Sequence, residues 1–167
     1  NSAMINKIGF VLLLLFFFTS CEGPTGPPGP PGEEGAVLVA NAFEIEVDFN
    51  AGNDYRIIED YGFEVFPFDV TLVYILWDQD NGTDIWRLLP QVMEFPEGQL
   101  QYNYDFTQND VSIFLDGTIN LNILGTEWTQ NQVFRVVVIP ADNVGLVNIN
   151  SLEEVMKAGS IVEFEKK

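Results

Sequence analysis

The sequence predicts an all-β fold, an antiparallel β-sandwich of about eight strands with one short helix near the C-terminus. Within residues 36–167, apolar and polar residues alternate over several short segments, which is typical of strands with one buried face. Two other segments are almost entirely apolar or β-branched, as in strands buried on both faces. Turn-forming residues separate these segments at short spacing.

The first predicted strand covers residues 43–49, where apolar residues alternate with acidic ones. The apolar run 70–77 predicts a central strand, and 84–89 is expected to pair with it across the Asn81-Gly82 turn. The later predicted strands are 100–106, 111–115, 118–124 and 132–139.

Asp116-Gly117, between the segments 111–115 and 118–124, predicts a two-residue hairpin turn. Near the C-terminus, Ser151 and Glu154 form a capping-box pattern, which predicts a helix over 152–158. Gly159 is the expected C-terminal cap of this helix, and 160–164 the expected last strand.

Composition excludes several kinds of chemistry. The chain has no histidine, which removes Ser-His-Asp and Cys-His mechanisms and the usual zinc ligand sets. Its net charge of −18 disfavours nucleic acid and anionic lipid headgroups as partners. Carboxylate chemistry, as in glycosidases, is the one catalytic route left open, and abundant acidic residues are no signal for it. We therefore expect a protein that is not an enzyme.

The N-terminal part predicts a lipoprotein of the cell envelope. Residues 1–20 comprise a tag remnant before Met4 and a signal peptide, with Lys7 ahead of an apolar run too short to span a bilayer. Phe18-Thr19-Ser20 before Cys21 resembles the lipobox of bacterial lipoproteins. Acyl chains such as palmitate on Cys21 would then hold the mature protein to the membrane. We expect the outer membrane, with the side left open.

Residues 21–35 place glycine at every third position from Gly23, with prolines between, which is the collagen pattern. One interpretation is a polyproline II spacer of about 40 Å between the lipid and residues 36–167, the predicted β-sandwich domain. The alternative is a structural trimer, in which three chains form a short collagen-like stem.

Asp78, Asp80 and Asp84 surround the Asn81-Gly82 turn and resemble a calcium loop, because oxygen ligands crowd around a glycine. The spacing departs from an EF-hand, since glycine is fifth and no glutamate is twelfth. The alternative interpretation is a plain acidic hairpin with a type I′ turn. Calcium is the one cofactor that the sequence indicates.

Aromatic residues supply the candidate contacts for a partner protein or a glycan. Tyr61, Phe63, Phe66 and Phe68 are interleaved with acids, and exposed rings there would anchor a partner or stack on sugars. The alternative is that they close one end of the sandwich as core.

Three tryptophans offer a second set of candidate glycan contacts. Trp77 and Trp86 flank the acidic turn at similar distances and are expected to pair across their strands. Trp128 lies in a turn-rich stretch and is a further candidate ring.

The motifs in residues 21–35, 73–77, 86–91 and 131–140 together resemble small collagen-like lipoproteins of Bacteroidota, especially flavobacteria. The resemblance implies an envelope lipoprotein and transfers no activity and no site residue. Our leading hypothesis is a noncatalytic module that binds another envelope protein. The alternatives are a glycan- or calcium-binding β-sandwich and the structural trimer.

Overall fold

The computed structural model describes residues 40–167, which contain nine β-strands in two sheets. The strands are predominantly antiparallel and helices are few and short, which confirms the predicted all-β sandwich. The predicted signal peptide, Cys21 and the Gly-Pro spacer lie outside the described residues.

The first sheet has five strands. Its spatial order is β4 (Thr83–Leu88), β3 (Asp69–Asp80), β8 (Gln132–Pro140), β1 (Asn41–Val47) and β9 (Glu165–Lys166). Neighbours are antiparallel except β1 and β9, which are parallel. Val136 of β8 lies opposite both Phe43 and Val73, which fixes the register at the centre of the sheet.

The second sheet has four antiparallel strands. Its order is β2 (Arg56–Asp60), β7 (Asp110–Gly117), β6 (Gly98–Phe106) and β5 (Gln91–Phe95). The helices are α1 (Thr126–Thr129), α2 (Ala141–Val144) and α3 (Leu152–Ala158), with 3₁₀ turns at Ala51–Asn53 and Leu121–Ile123.

Two apolar cores explain the sequence pattern. The larger core fills the space between the sheets and includes Phe43, Ile113 and Phe134, all at most 1% exposed. The smaller core, which we call the outer core, lies on the other face of the first sheet, where Leu152 and Val155 of α3 cover Tyr74 and its neighbours. Strands β3 and β8 are therefore buried on both faces, which is why their sequences are almost continuously apolar.

Six of the predicted strands and the predicted helix are confirmed, with small differences at their ends. Asn81 and Gly82 have φ angles of 49° and 82°, as a type I′ turn requires. Ser151 caps α3 by accepting a hydrogen bond from the N–H of Glu154. Gly159 is the C-cap of α3, as predicted, with a φ of −81°, and the left-handed residue that follows it is Ser160.

The predicted strand at 118–124 and the hairpin at Asp116-Gly117 are wrong. Gly117 ends β7 at a φ of 139°, where an added Cβ would lie 2.0 Å from the carbonyl oxygen of Gln99. That oxygen accepts hydrogen bonds from the N–H groups of Thr118 and Ile119. Glycine is needed for this close approach between neighbouring strands and does not form a two-residue turn.

The predicted last strand at residues 160–164 is wrong, because the last strand that pairs in the sheet is β9. The sequence pattern does not predict β2 or β5. Both are five-residue edge strands, and a proline lies just before β5 and just after it. Short edge strands with mixed exposure carry little periodic signal.

Candidate functional site

The acidic hairpin holds its carboxylates with its own amides. Asp78 accepts from the N–H of Gln79 (2.8 Å), Asp80 from Asn81 Nδ2 (2.9 Å) and Asp84 from Gln79 Nε2 (2.6 Å). Within residues 40–167, no group of three acidic, histidine or cysteine side chains is placed to hold a metal ion. Calcium binding by these residues stays a prediction.

Two of the four aromatic residues in the predicted contact segment belong to the core. Tyr61 is 1% exposed, and its hydroxyl lies 2.7 Å from Oγ1 of the buried Thr71. Burial raises the pKa of Tyr61, although this hydrogen bond works in the opposite direction. Phe63 packs against Tyr61 and Phe43, with ring centroids 5.6 and 6.4 Å away. For these two residues the core interpretation fits.

The other two aromatic residues are exposed. Phe66 is 57% exposed and Phe68 is 83% exposed, on either side of Pro67. We call residues 66–68 the phenylalanine loop. Phe66 N–H donates to Asp69 Oδ2 (2.8 Å), while Asp69 N–H donates to the carbonyl oxygen of Phe66 (3.0 Å). These two hydrogen bonds fix the loop while its rings face solvent.

A cleft of about 240 Å³ adjoins the phenylalanine loop. Phe66 and the 42%-exposed Phe106 both line it, so a third exposed ring extends the apolar surface. Gln108 Nε2 donates to the carbonyl oxygen of Val65 (2.8 Å), which fixes the adjoining turn. The surface is therefore built from two chain segments that are held together.

The phenylalanine loop lies at the end of the sandwich where the chain enters from residue 40. Asp69, the first residue of β3, pairs with Pro140, the last residue of β8. Asn41, the first residue of β1, pairs with Val138, two residues before Pro140. The first residues of β1 and β3 thus lie at the same end of β8.

Trp77 and Trp86 do not pair, and that prediction is wrong. A β-bulge between Leu76 and Asp78 leaves Trp77 without a partner, and Trp86 lies opposite Leu76. Trp77 packs against the core between the sheets, whereas Trp86 packs against the outer core. A period-two pattern assigns residues to one face of a sheet only while the register is regular. The bulge shifts the register by one residue, so the two tryptophans lie on opposite faces of the sheet.

An arginine side chain lies over the ring of each of these two tryptophans. The guanidinium of Arg87 lies 4.2 Å from the ring centroid of Trp77. Arg135 lies between the rings of Trp86 and Phe164, at 4.1 and 4.4 Å. These cation–π contacts stabilise the edge strand and the C-terminal segment.

Trp77 and a different tryptophan, Trp128, line the same cleft. This tryptophan cleft has a volume of about 230 Å³ and lies between the sheets, near the start of β8 and therefore at the end opposite the phenylalanine loop. Its lining also includes Met93, Tyr102, Glu127, Asn131 and Gln132. The sequence pattern does not identify these residues as parts of a site. The one signal is that Glu127 is next to the candidate residue Trp128.

The hydroxyl of Tyr102 connects two residues that line the tryptophan cleft, Tyr102 itself and Trp128. Its side chain is 1% exposed, and its hydroxyl donates to the carbonyl oxygen of Trp128 at 2.7 Å. Burial, with the nearby charge of Glu127, raises the pKa of Tyr102 well above its usual value. The hydroxyl therefore stays protonated and remains a donor at neutral pH.

Comparison of the chain with protein-family models, curated proteins and solved structures finds no match. Among the helices of residues 40–167, none has the length and apolar character needed to cross a bilayer.

Proposed function

We propose that this protein is a noncatalytic interaction module of the cell envelope, anchored through lipid at Cys21, that binds a partner protein through the phenylalanine loop. The observation that carries the proposal is the exposure of Phe68 and Phe66 on a loop that is already held by hydrogen bonds. Buried aromatic anchors supply much of the energy of protein interfaces, and a rigid loop loses little entropy on binding.

The charge around the loop favours a protein partner over a lipid surface. Glu64 and Asp69 flank the phenylalanine loop, in a chain whose net charge is −18. Anionic headgroups would be repelled by this surface, whereas an apolar pocket with a basic rim would complement it. The phenylalanine loop also lies at the end of the sandwich where β1, its first strand, begins.

The test is capture of the tagged full-length lipoprotein from its native membranes after mild crosslinking, with mass spectrometry of the captured proteins. We expect a stoichiometric membrane protein that is lost, by at least about tenfold, from the double variant Phe66→Ser/Phe68→Ser. Loss of two aromatic side chains that become buried at the interface is expected to cost several kcal/mol of binding free energy.

Ile58→Ser is the matched control, because Ile58 is also apolar and 64% exposed but lies on the outer face of the second sheet. It should retain the partner, and all variants should unfold at similar temperatures. Retention of the partner by the double variant, or capture of nothing except copies of this chain, would overturn the proposal.

A further inference from the structure

The tryptophan cleft is small and lies between the two sheets at one end. Its volume of about 230 Å³ is below the roughly 300–1,000 Å³ typical of drug-sized ligand sites. It therefore suits a compact group and not an extended chain. Two indoles, those of Trp77 and Trp128, contribute to its wall.

Both rings are already fixed. The Trp128 ring meets Phe95 edge-on at 5.3 Å, and its backbone is held by hydrogen bonds to Tyr102 and Gly125. The β-bulge sets the position of Trp77 on its strand, and the side chain of Arg87 packs over its ring. A ligand would find these aromatic surfaces in place, which reduces the entropy lost on binding.

The charge at the tryptophan cleft is negative. Glu127 is the one charged side chain of its lining and takes part in none of the four ion pairs among residues 40–167. Asp48 lies beside the cleft, since its carboxylate accepts a hydrogen bond from the N–H of the lining residue Asn131 at 2.8 Å. Among residues 40–167, Arg87 is the one cation that contacts an indole of the cleft. Two carboxylates against one guanidinium favour a cation in this place.

We propose that the tryptophan cleft binds a small organic cation, an ammonium group bearing methyl or methylene substituents. The face of an indole attracts such a cation through its quadrupole, more strongly where water is excluded. The carboxylate of Glu127 supplies the counter-charge, and the alkyl substituents contact Met93 and the rings. This is a second binding site, distinct from the phenylalanine loop and independent of the protein partner proposed for it.

The test compares choline with its neutral isostere, 3,3-dimethyl-1-butanol, on the purified full-length protein in detergent at fixed ionic strength. Binding is followed by intrinsic tryptophan fluorescence and by calorimetry. We expect saturable binding of choline and at least about tenfold weaker binding of the uncharged alcohol, because the two differ chiefly in charge. Equal affinities, or no saturable signal from the folded protein, would overturn the proposal.

Two variants locate the site. Glu127→Gln removes the charge from an exposed side chain and should weaken choline binding about fivefold or more, whereas Glu163→Gln, on the exposed C-terminal segment, should not. The fluorescence change should survive Trp86→Phe, since Trp86 packs on the outer face of the first sheet. Choline affinity unchanged by Glu127→Gln would contradict the proposal. So would saturable binding of a neutral methyl glycoside in place of choline.

Discussion

Ser160 is one of five non-glycine residues within 40–167 that have a positive φ. It follows α3 with a φ of 52°, in the left-handed region that glycine tolerates best. The N–H groups of Ser160 and Ile161 donate back to the carbonyl oxygens of Lys157 and Met156, at 3.4 and 2.9 Å. This is a Schellman ending, in which the left-handed position normally belongs to glycine.

Ser160→Gly should therefore raise the free energy of unfolding by about 0.5–1 kcal/mol. The expected gain is smaller than the left-handed penalty itself because glycine also increases the entropy of the unfolded chain. Urea unfolding followed by circular dichroism measures it. Ser160→Ala is the control, since alanine keeps a Cβ, and a similar gain in that variant would rule out the backbone explanation.

At this scale the sequence could predict which residues were candidates but not which rings would be exposed. Tyr61, Phe63 and Val65 occupy alternate positions and face inward, whereas Phe66 and Phe68 occupy the positions between and face out. Residues 61–68 belong to no strand, and a turn begins at Pro67. Period-two alternation is a rule for strands, so the sequence does not show which of these four rings face the core.

Among the elements, α3 is the helix that covers the outer face of the first sheet. Its residues Leu152 and Val155 are 5% and 0% exposed and cover the outer core. Tyr74 on β3 donates a hydrogen bond from its hydroxyl to the carbonyl oxygen of Ile149 at 2.6 Å, which fixes the segment just before the helix.

Leu152→Ala should lower the free energy of unfolding by about 2–3 kcal/mol, since it removes buried methyl groups and leaves a cavity. Glu153→Ala, on the exposed side of the same turn, should change it by less than about 0.5 kcal/mol. Urea unfolding midpoints of the two variants make the comparison. A loss below about 0.5 kcal/mol in Leu152→Ala would mean that α3 is not packed on the sheet.

The central strands could be predicted from the sequence, and the layer that covers their second face could not. Continuous apolar character in β3 and β8 indicates burial on both sides, yet it does not name the covering element. The capping pattern at Ser151 predicted α3, but nothing in a helix of seven residues specifies the sheet face on which it packs. The tryptophan cleft was missed for a related reason, since a bulge and a turn assemble it from distant segments.

At the scale of the whole domain, four buried or half-buried tyrosines lie in or beside the two sheets: Tyr74 on the first sheet, Tyr102 and Tyr104 on the second, and Tyr61 just after β2. Tyr61, Tyr74 and Tyr102 are at most 1% exposed, and Tyr104 donates from its hydroxyl to the carbonyl oxygen of Thr71 at 3.0 Å. Burial raises the pKa of all four. In the unfolded chain the same groups titrate at about pH 10.

Stability should therefore be independent of these tyrosines below about pH 10 and should fall above it, because the unfolded state then loses protons that the folded state retains. Each tyrosine contributes at most about 1.4 kcal/mol per pH unit to this slope. Urea midpoints between pH 8 and 11.5 measure it, and Tyr74→Phe should make the slope shallower. Full tyrosinate absorbance from a still-folded protein would contradict the expectation.

One last consequence belongs to β9. Two residues, Glu165 and Lys166, pair with β1 along its outer edge, and Lys167 bonds to Glu44 and to the carbonyl oxygen of Tyr61. Without them, the outer edge of β1 would also be open at Phe43 and Glu44, and a longer open row of backbone donors and acceptors is a template for adding strands from other molecules. The short charged strand ends the sheet where a longer apolar one would extend it. Proteolytic trimming of these residues would thus promote aggregation before it cost much stability.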